Sequence, residues 1–394
     1  MFSQRTGWNL SLNRYTQALA RRRQSGRELL DLTASNPTSV GLTYSKRELS
    51  QALLGDEIFS YEPVAKGMLS AREAVAAYYA EKGTALDPEA LLLTTSTSEA
   101  YSFVFRLLCD PGDAVLVPTP SYPLFDFLAD LNDVKLESYE LVYDHGWQID
   151  FTSLAAALQR AQSGGQRCRA VLVVHPNNPT GSFVKQQDQT ELSRICQAHE
   201  MAIIADEVFL DYNLGAFSPL TFAANRSCLT FALSGLSKIS ALPQMKVAWI
   251  AVSGPRQVKA DALARLEVIA DTFLSMNAPV QLAVPEMLQE RRHLQPQLLR
   301  RIRENLSALD DHLASNKLCV RLNVEGGWYA VLRAPALGSD EDLAISLLES
   351  TGVLLQPGHF YNFPSEGYLV ASLITPPDVF ANGITRTLEY LLQR

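Results

Sequence analysis

Two short apolar runs, Met201 to Ala205 and Cys228 to Leu233, stop abruptly in polar residues: Asp206 after the first, Ser234 to Lys238 after the second. Neither run keeps the regular apolar–polar alternation of a strand with one face in water. Each reads as a strand buried on both faces, the condition of a parallel sheet covered by helices on both sides. In open sheets of this kind, ligands sit just beyond the carboxyl ends of the strands. Asp206 and Lys238 are therefore predicted to reach one crevice from neighbouring strand ends.

Three more stretches repeat the form. Leu91 to Thr95 reads as a strand, and T-T-S-T-S-E-A then opens a helix. Ala114 to Val117 leads into P-T-P-S-Y-P-L-F, and Ala170 to Val174 ends in H-P-N-N-P-T-G. Five strand ends thus present Thr95, Ser96 and Thr97, then Tyr122, Asn178, Asp206 and Lys238, along one edge of one mostly parallel sheet. A hydroxyl-rich helix start suits a phosphate, through its free N–H groups and the positive end of the helix dipole. The same three residues also read as an ordinary Ser/Thr cap. Neither a G-x-G-x-x-G nor a G-x-x-x-x-G-K-[ST] pattern occurs, so a dinucleotide or nucleoside-triphosphate site has no support.

The chain of 394 residues has room for one large domain and a smaller one. No apolar run approaches the roughly 18 residues of a membrane span, and the start, M-F-S-Q-R-T-G-W-N-L, lacks the apolar core of a signal peptide. A net charge of −8 argues against general nucleic-acid binding. Cys109, Cys168, Cys196, Cys228 and Cys319 are scattered, without a CxxC pair, which suits a reducing, cytoplasmic setting and offers no metal or disulfide framework. The Arg21 to Arg23 run reads as the solvated face of a first helix. Further on, Pro285 and Pro296 are expected to kink or interrupt a long helix.

A carboxylate and an amine converging in a crevice suit pyridoxal 5′-phosphate. The amine forms a Schiff base with the cofactor aldehyde, and the carboxylate keeps the pyridine nitrogen protonated, so that the ring draws electrons from a substrate carbanion. A plainer reading makes Asp206 a helix cap and Lys238 a solvated surface residue. The ordered motifs decide between them. H-P-N-N-P-T-G, then A-D-E-V-F-L-D-Y, then S-G-L-S-K and L-P-Q-M-K-V-A-W resemble the class I/II aminotransferases of pyridoxal-phosphate fold type I, from about Leu29 to the C-terminus.

That resemblance implies an α/β fold with a mostly parallel seven-stranded sheet flanked by helices and a smaller α/β domain made of both termini. The large domain is expected over 46–285, the small one over 1–45 and 286–394. It implies Lys238 as cofactor lysine and proton carrier, Asp206 under the pyridinium, Asn178 on the phenolic oxygen and Tyr122 stacked on the ring. Thr95, Ser96, Thr97, Ser237 and Lys246 are implied at the phosphate, together with Tyr61 from a partner subunit, which makes the protein a homodimer with shared sites. By themselves, Tyr61 reads as a packed aromatic and Asn36 as part of an Asn–Pro turn. The resemblance puts Asn36, with Asn178, at the substrate carboxylate; Trp328 is a candidate to close the substrate pocket, with core packing as its alternative.

The sequence also departs from the family pattern. Phe209 stands where a tyrosine usually bonds the cofactor phenolate, Lys246 where an arginine usually holds the phosphate, Ser96 in place of the usual glycine, and Gly235 where serine is common. Val370, in Y-L-V-A-S-L-I-T-P, occupies the place of the arginine that clamps the substrate carboxylate, and removing such a bidentate contact removes a strong orienting interaction. Arg386 lies on the terminal helix and has no such role. Thr272 stands where dicarboxylate-specific members carry a second arginine, which argues against acidic substrates. The expectation is a transaminase moving an amino group between a non-acidic amino acid and a 2-oxo acid. A lyase or decarboxylase of the same fold is the alternative that Val370 keeps open.

Overall fold

The computed structural model describes residues 1–123, 125–314 and 318–393. Its strands, in chain order, are β1 (Leu30–Asp31), β2 (Leu91–Thr94), β3 (Ala114–Thr119), β4 (Lys135–Tyr143), β5 (Trp147–Ile149), β6 (Cys168–Val174), β7 (Ala202–Asp206), β8 (Thr230–Gly235), β9 (Ala248–Ser253), β10 (Val320–Arg321), β11 (Tyr329–Arg333), β12 (Val353–Leu354), β13 (Gln356–Pro357) and β14 (Tyr368–Ser372). The large sheet runs β2-β9-β8-β7-β6-β3-β4-β5. Strands β8, β7, β6, β3 and β4 are mutually parallel, whereas β9 is antiparallel to both β8 and β2. The eighth strand, beyond the seven expected, is the short β5, which folds back antiparallel on the end of β4.

Every residue of β2, β7, β8 and β9 is buried, as the unbroken apolar runs require. Successive residues go to opposite layers, because side chains on a strand alternate between faces. Leu172, Ile204, Phe231 and Ile250 pack with Val104 and Leu266 of the helices Thr97–Leu108 and Arg256–Thr272. Val171, Val173, Ile203 and Ala205 face the other way, onto Leu154 and Leu192 of the helices Phe151–Ser163 and Gln186–Ala198. Burying each leucine, isoleucine, valine or phenylalanine among them contributes roughly 1.5–3 kcal/mol. The sheet is thereby fixed from both sides, and its strand ends become rigid platforms.

A second, four-stranded antiparallel sheet runs β10-β11-β14-β13, and β1 pairs with β12 in parallel, tying the N-terminal segment to the C-terminal one. The two sheets are joined at the strand ends: the Ser121 N–H donates to the Tyr361 carbonyl at 2.9 Å and the Thr119 hydroxyl to that of Asn362 at 2.6 Å. A helix over Val284–Ala314 runs alongside, its Leu294, Leu298, Ile302 and Leu309 buried. Of the two prolines, only Pro285 marks the expected interruption: the helix Ala278–Leu282 stops at Ala283, and the long helix restarts at Val284. Pro285 falls in the first turn, where the missing N–H costs nothing. Pro296 sits inside the continuous helix and does not interrupt it. It lies on the exposed face, where water can solvate the carbonyl it leaves unbonded, while the buried leucines on the other face hold the helix through it.

Candidate active site

The carboxyl ends of β7 and β8 lie side by side, with Asp206 opposite Leu233 in the parallel register. Asp206 is the last residue of β7. Strand β8 ends at Gly235, and the single helical turn Leu236–Ile239 follows at once and carries Lys238. A Cβ on Gly235 would lie 2.7 Å from the Val247 carbonyl oxygen of β9's approach, so close packing excludes the serine that is common there. Both side chains line one cavity of about 600 Å³, shared with Thr97, Tyr122, Asn178 and Ser237.

Burial governs the electrostatics. It pulls the Lys238 ammonium down to about 8, with the Asp206 charge working against it. It pushes the Asp206 carboxyl up to about 6, opposed by the Val208 N–H at 3.1 Å, the Tyr101 hydroxyl at 2.9 Å and the Lys238 charge. Removing water disfavours both charged forms, and each partner partly restores the other. The lysine nitrogen also lies 4.8 Å from the Trp328 ring and 5.6 Å from that of Phe209, within the range of cation–π attraction. The Ser35 carbonyl, 3.5 Å from the same nitrogen, brings the N-terminal segment over the site.

The remaining sequence candidates fall into two groups. Thr97 opens the helix Thr97–Leu108, and Ser96 caps it by accepting from the Glu99 N–H at 3.2 Å, while the Glu99 carboxylate accepts from the Thr95 N–H at 2.6 Å. This reciprocal capping box turns Thr95 and Glu99 toward a separate hollow beside Gly67 and Asn277. Lys246 is exposed with a left-handed backbone (φ 55°) just before β9 and does not line the cavity. Asn36 caps a short turn, accepting from the Thr38 N–H at 3.0 Å and hydroxyl at 2.8 Å, next to Ser35, which does line it. Tyr61 is 74% exposed on the surface. Trp328 is fully buried, edge-on to Phe209 and Tyr212 at 5.3 and 5.2 Å, which gives it the packing role as well as a place beneath the lysine. Val370 is buried in the second sheet, Thr272 is exposed at a helix end, and Arg386 is engaged by Glu28 at 2.9 Å and the Thr351 carbonyl.

Tyr101, Tyr329, Gln356, Phe360, Tyr361 and Asn13 escaped the sequence reading. All but Tyr101 line the cavity, and Tyr101 holds Asp206. Only Tyr101 left a usable sign: it stands four residues after Thr97, one helical turn on and therefore on the same face.

The group that the motifs imply fits these residues. The Asn178 amide oxygen is buried in the cavity wall with no hydrogen-bond partner in the chain, an expensive state unless a ligand completes it. A buried acid, a depressed amine and a hydroxylated helix start suit a phosphorylated pyridine aldehyde, and the Asn178 oxygen awaits a donor from whatever fills the cavity.

Residues 27–377 match the family model described as aminotransferase class I and II. An alanine aminotransferase of Mycobacterium tuberculosis is 27% identical over 375 residues, covering 92% of this chain and 84% of its own. A glutamate-pyruvate aminotransferase of Haemophilus influenzae is 24% identical, covering 93% and 92%. Among solved structures, an alanine aminotransferase from Pyrococcus furiosus superposes with a TM-score of 0.88 at 20% identity over the whole of both chains, and a Thermus thermophilus aspartate aminotransferase with 0.84 at 21% over 99% of each. No lyase or decarboxylase reading is favoured by these likenesses. The chain belongs to the class I and II aminotransferase family, fold-type I enzymes that depend on pyridoxal 5′-phosphate to pass an amino group between an amino acid and a 2-oxo acid.

Proposed function

We propose that this transaminase acts on a small, non-acidic amino acid, with Lys238 as the cofactor lysine and Asp206 as the partner of the ring nitrogen. The observation that carries the reading is the pair itself: one acid and one amine, both buried and lining the same cavity, the amine lowered to about 8. When bound, pyridoxal phosphate supplies an electron sink for the substrate carbon. An amine at about 8 is neutral in a useful fraction near neutrality, so Lys238 Nζ would serve as the group that takes up and gives back the proton of the substrate carbon. Asp206 stays anionic at physiological pH and holds the ring nitrogen's proton, with the Tyr101 hydroxyl fixing its second oxygen. Asn178 would hold the phenolic edge through its amide N–H, and Tyr122 would offer a ring face for stacking. Thr97 and Ser237 would meet the phosphate from this chain and Tyr61 from a second copy, whereas Thr95, Ser96 and Lys246 stand outside the cavity lining.

Among the described residues that line the cavity from this chain there is no arginine and no lysine besides Lys238, which supports a donor without a side-chain carboxylate. The names of two relatives, alanine aminotransferase and glutamate-pyruvate aminotransferase, share a three-carbon substrate, which supports a small donor. The 74% exposure of Tyr61 supports a homodimer in which this ring finds its contacts on the other subunit. Residues 46–285, which contain the whole large sheet, form the cofactor domain, and 1–45 with 286–394 the small one; the β1–β12 pairing supports that division. No helix among the described residues is long and apolar enough to cross a membrane, which is compatible with a cytoplasmic enzyme.

A donor screen on the cofactor-loaded protein tests the reading. L-Alanine and other neutral amino acids should convert the bound cofactor to its amine form, seen as a loss of the absorbance near the visible edge, while L-aspartate should do so far more slowly. Equal or faster conversion by L-aspartate would overturn the substrate assignment.

A further inference from the structure

One wall of the cavity comes from the second sheet. Tyr329 of β11, Gln356 of β13, and Phe360 and Tyr361 of the turn that follows all line it. Among the described residues of this chain, the wall contributes no cation, and the charged side chains of the whole lining are Asp206 and Lys238. Gln356 pairs directly with Val370 of β14, and cross-strand partners carry their side chains on the same face about 4.5–5.5 Å apart. The glutamine is therefore the cross-strand neighbour of the position where the family pattern places an arginine.

The orientation of its amide is settled by Tyr361. The tyrosine hydroxyl donates to Gln356 Oε1, which commits that oxygen. Among the described residues Nε2 has no hydrogen bond within the chain, so its two N–H donors remain for whatever occupies the cavity. Tyr361 is itself 5% exposed and anchored through its carbonyl to the Ser121 N–H at 2.9 Å, so the pair is held by the join between the two sheets. An amide with a fixed acceptor and two free donors recognises an acyl oxygen. Because it is uncharged, it gains much less from a full negative charge than a guanidinium does.

We propose that Gln356, locked by Tyr361, reads the acyl end of the amino substrate in place of an arginine. Carboxylates and their neutral carboxamides are thus both substrates. The inference rests on the transaminase reading above and adds the group that sets specificity within it. The site accepts L-alanine and L-alaninamide with kcat/KM values within about tenfold of each other, because neutral donors discriminate weakly between the two acyl groups.

The test compares the cofactor-loaded wild type with Gln356→Glu and Gln356→Leu, using L-alanine and L-alaninamide as donors in single turnovers and an equilibrium Kd for each from titration. Gln356→Glu keeps the size and the acceptor for Tyr361 but puts a negative charge where the donors were. It should weaken L-alanine at least tenfold more than L-alaninamide, in KM and Kd rather than in kcat. Gln356→Leu should weaken both by about tenfold, with the cofactor spectrum and melting temperature unchanged. Unchanged Kd values for both donors in both variants overturn the proposal, as does a wild type that rejects the amide by a thousandfold, since a cation would then be reading the carboxylate. A wild type that moves no amino group from any donor fails at the transaminase reading instead, and the two failures are separable in one experiment.

Discussion

The two walls of the cavity are built on opposite physical terms. On the large-sheet side, Asp206 and Lys238 project from the ends of strands buried on both faces, and dehydration pushes the acid up to about 6 and the amine down to about 8. On the small-sheet side, Tyr329, Gln356 and Tyr361 present only neutral donors and acceptors. The first wall carries chemistry that any amino donor needs, so its groups are charged and held rigidly. The second wall meets the part of the substrate that differs from one donor to the next. Charge on one wall and neutrality on the other separate reaction from selection.

Removing the amine breaks this division most severely. Lys238→Ala should lower the single-turnover rate by about 10²–10⁴-fold, the range for a positioned proton carrier, while binding of a neutral amino acid changes little. An equal loss of binding would mean that Lys238 belongs to selection instead. Asp206→Asn comes next, at about 10²–10³-fold in rate, as expected for a preorganised charge set against a developing one. The same substitution should shift Lys238 in the cofactor-free protein. The Asp206 charge holds the amine up, so its removal moves the midpoint of lysine modification below about pH 8. A midpoint that stays put or rises would mean that the two groups do not share a field.

Tyr101→Phe sharpens the comparison at a smaller scale. The hydroxyl bond favours the ionised carboxylate, so its loss moves the Asp206 carboxyl above about 6 and shifts the acid limb of the kcat/KM profile to higher pH. The rate above that limb should fall by about 3–10-fold, the worth of one hydrogen bond. A profile shifted to lower pH would contradict the assignment. Changes confined to the second wall, at Gln356, should move the choice of donor and leave the pH profile where it is.

The same division explains what was legible in the sequence. Buried parallel strands need unbroken apolar runs, so a polar residue at their end stands out, and Asp206, Asn178 and Lys238 were found that way. The antiparallel β9, in A-W-I-A-V, is just as apolar but ends in no ligand, and the polar-rich β4 is partly exposed, so neither announced itself. Tyr329, Gln356 and Tyr361 meet the site through a register between strands distant in the chain, and local patterning carries no record of such a pairing. Pro296 shows the converse: a strong local signal for interruption was overruled by the buried leucine stripe of its helix.

Borohydride treatment of the cofactor-loaded enzyme, followed by peptide mapping, tests the central claim most directly. The account predicts that the reduced cofactor is fixed to the peptide carrying Lys238, with Asp206→Asn protein still labelled there. A cofactor fixed to any other lysine, or to none, would contradict it.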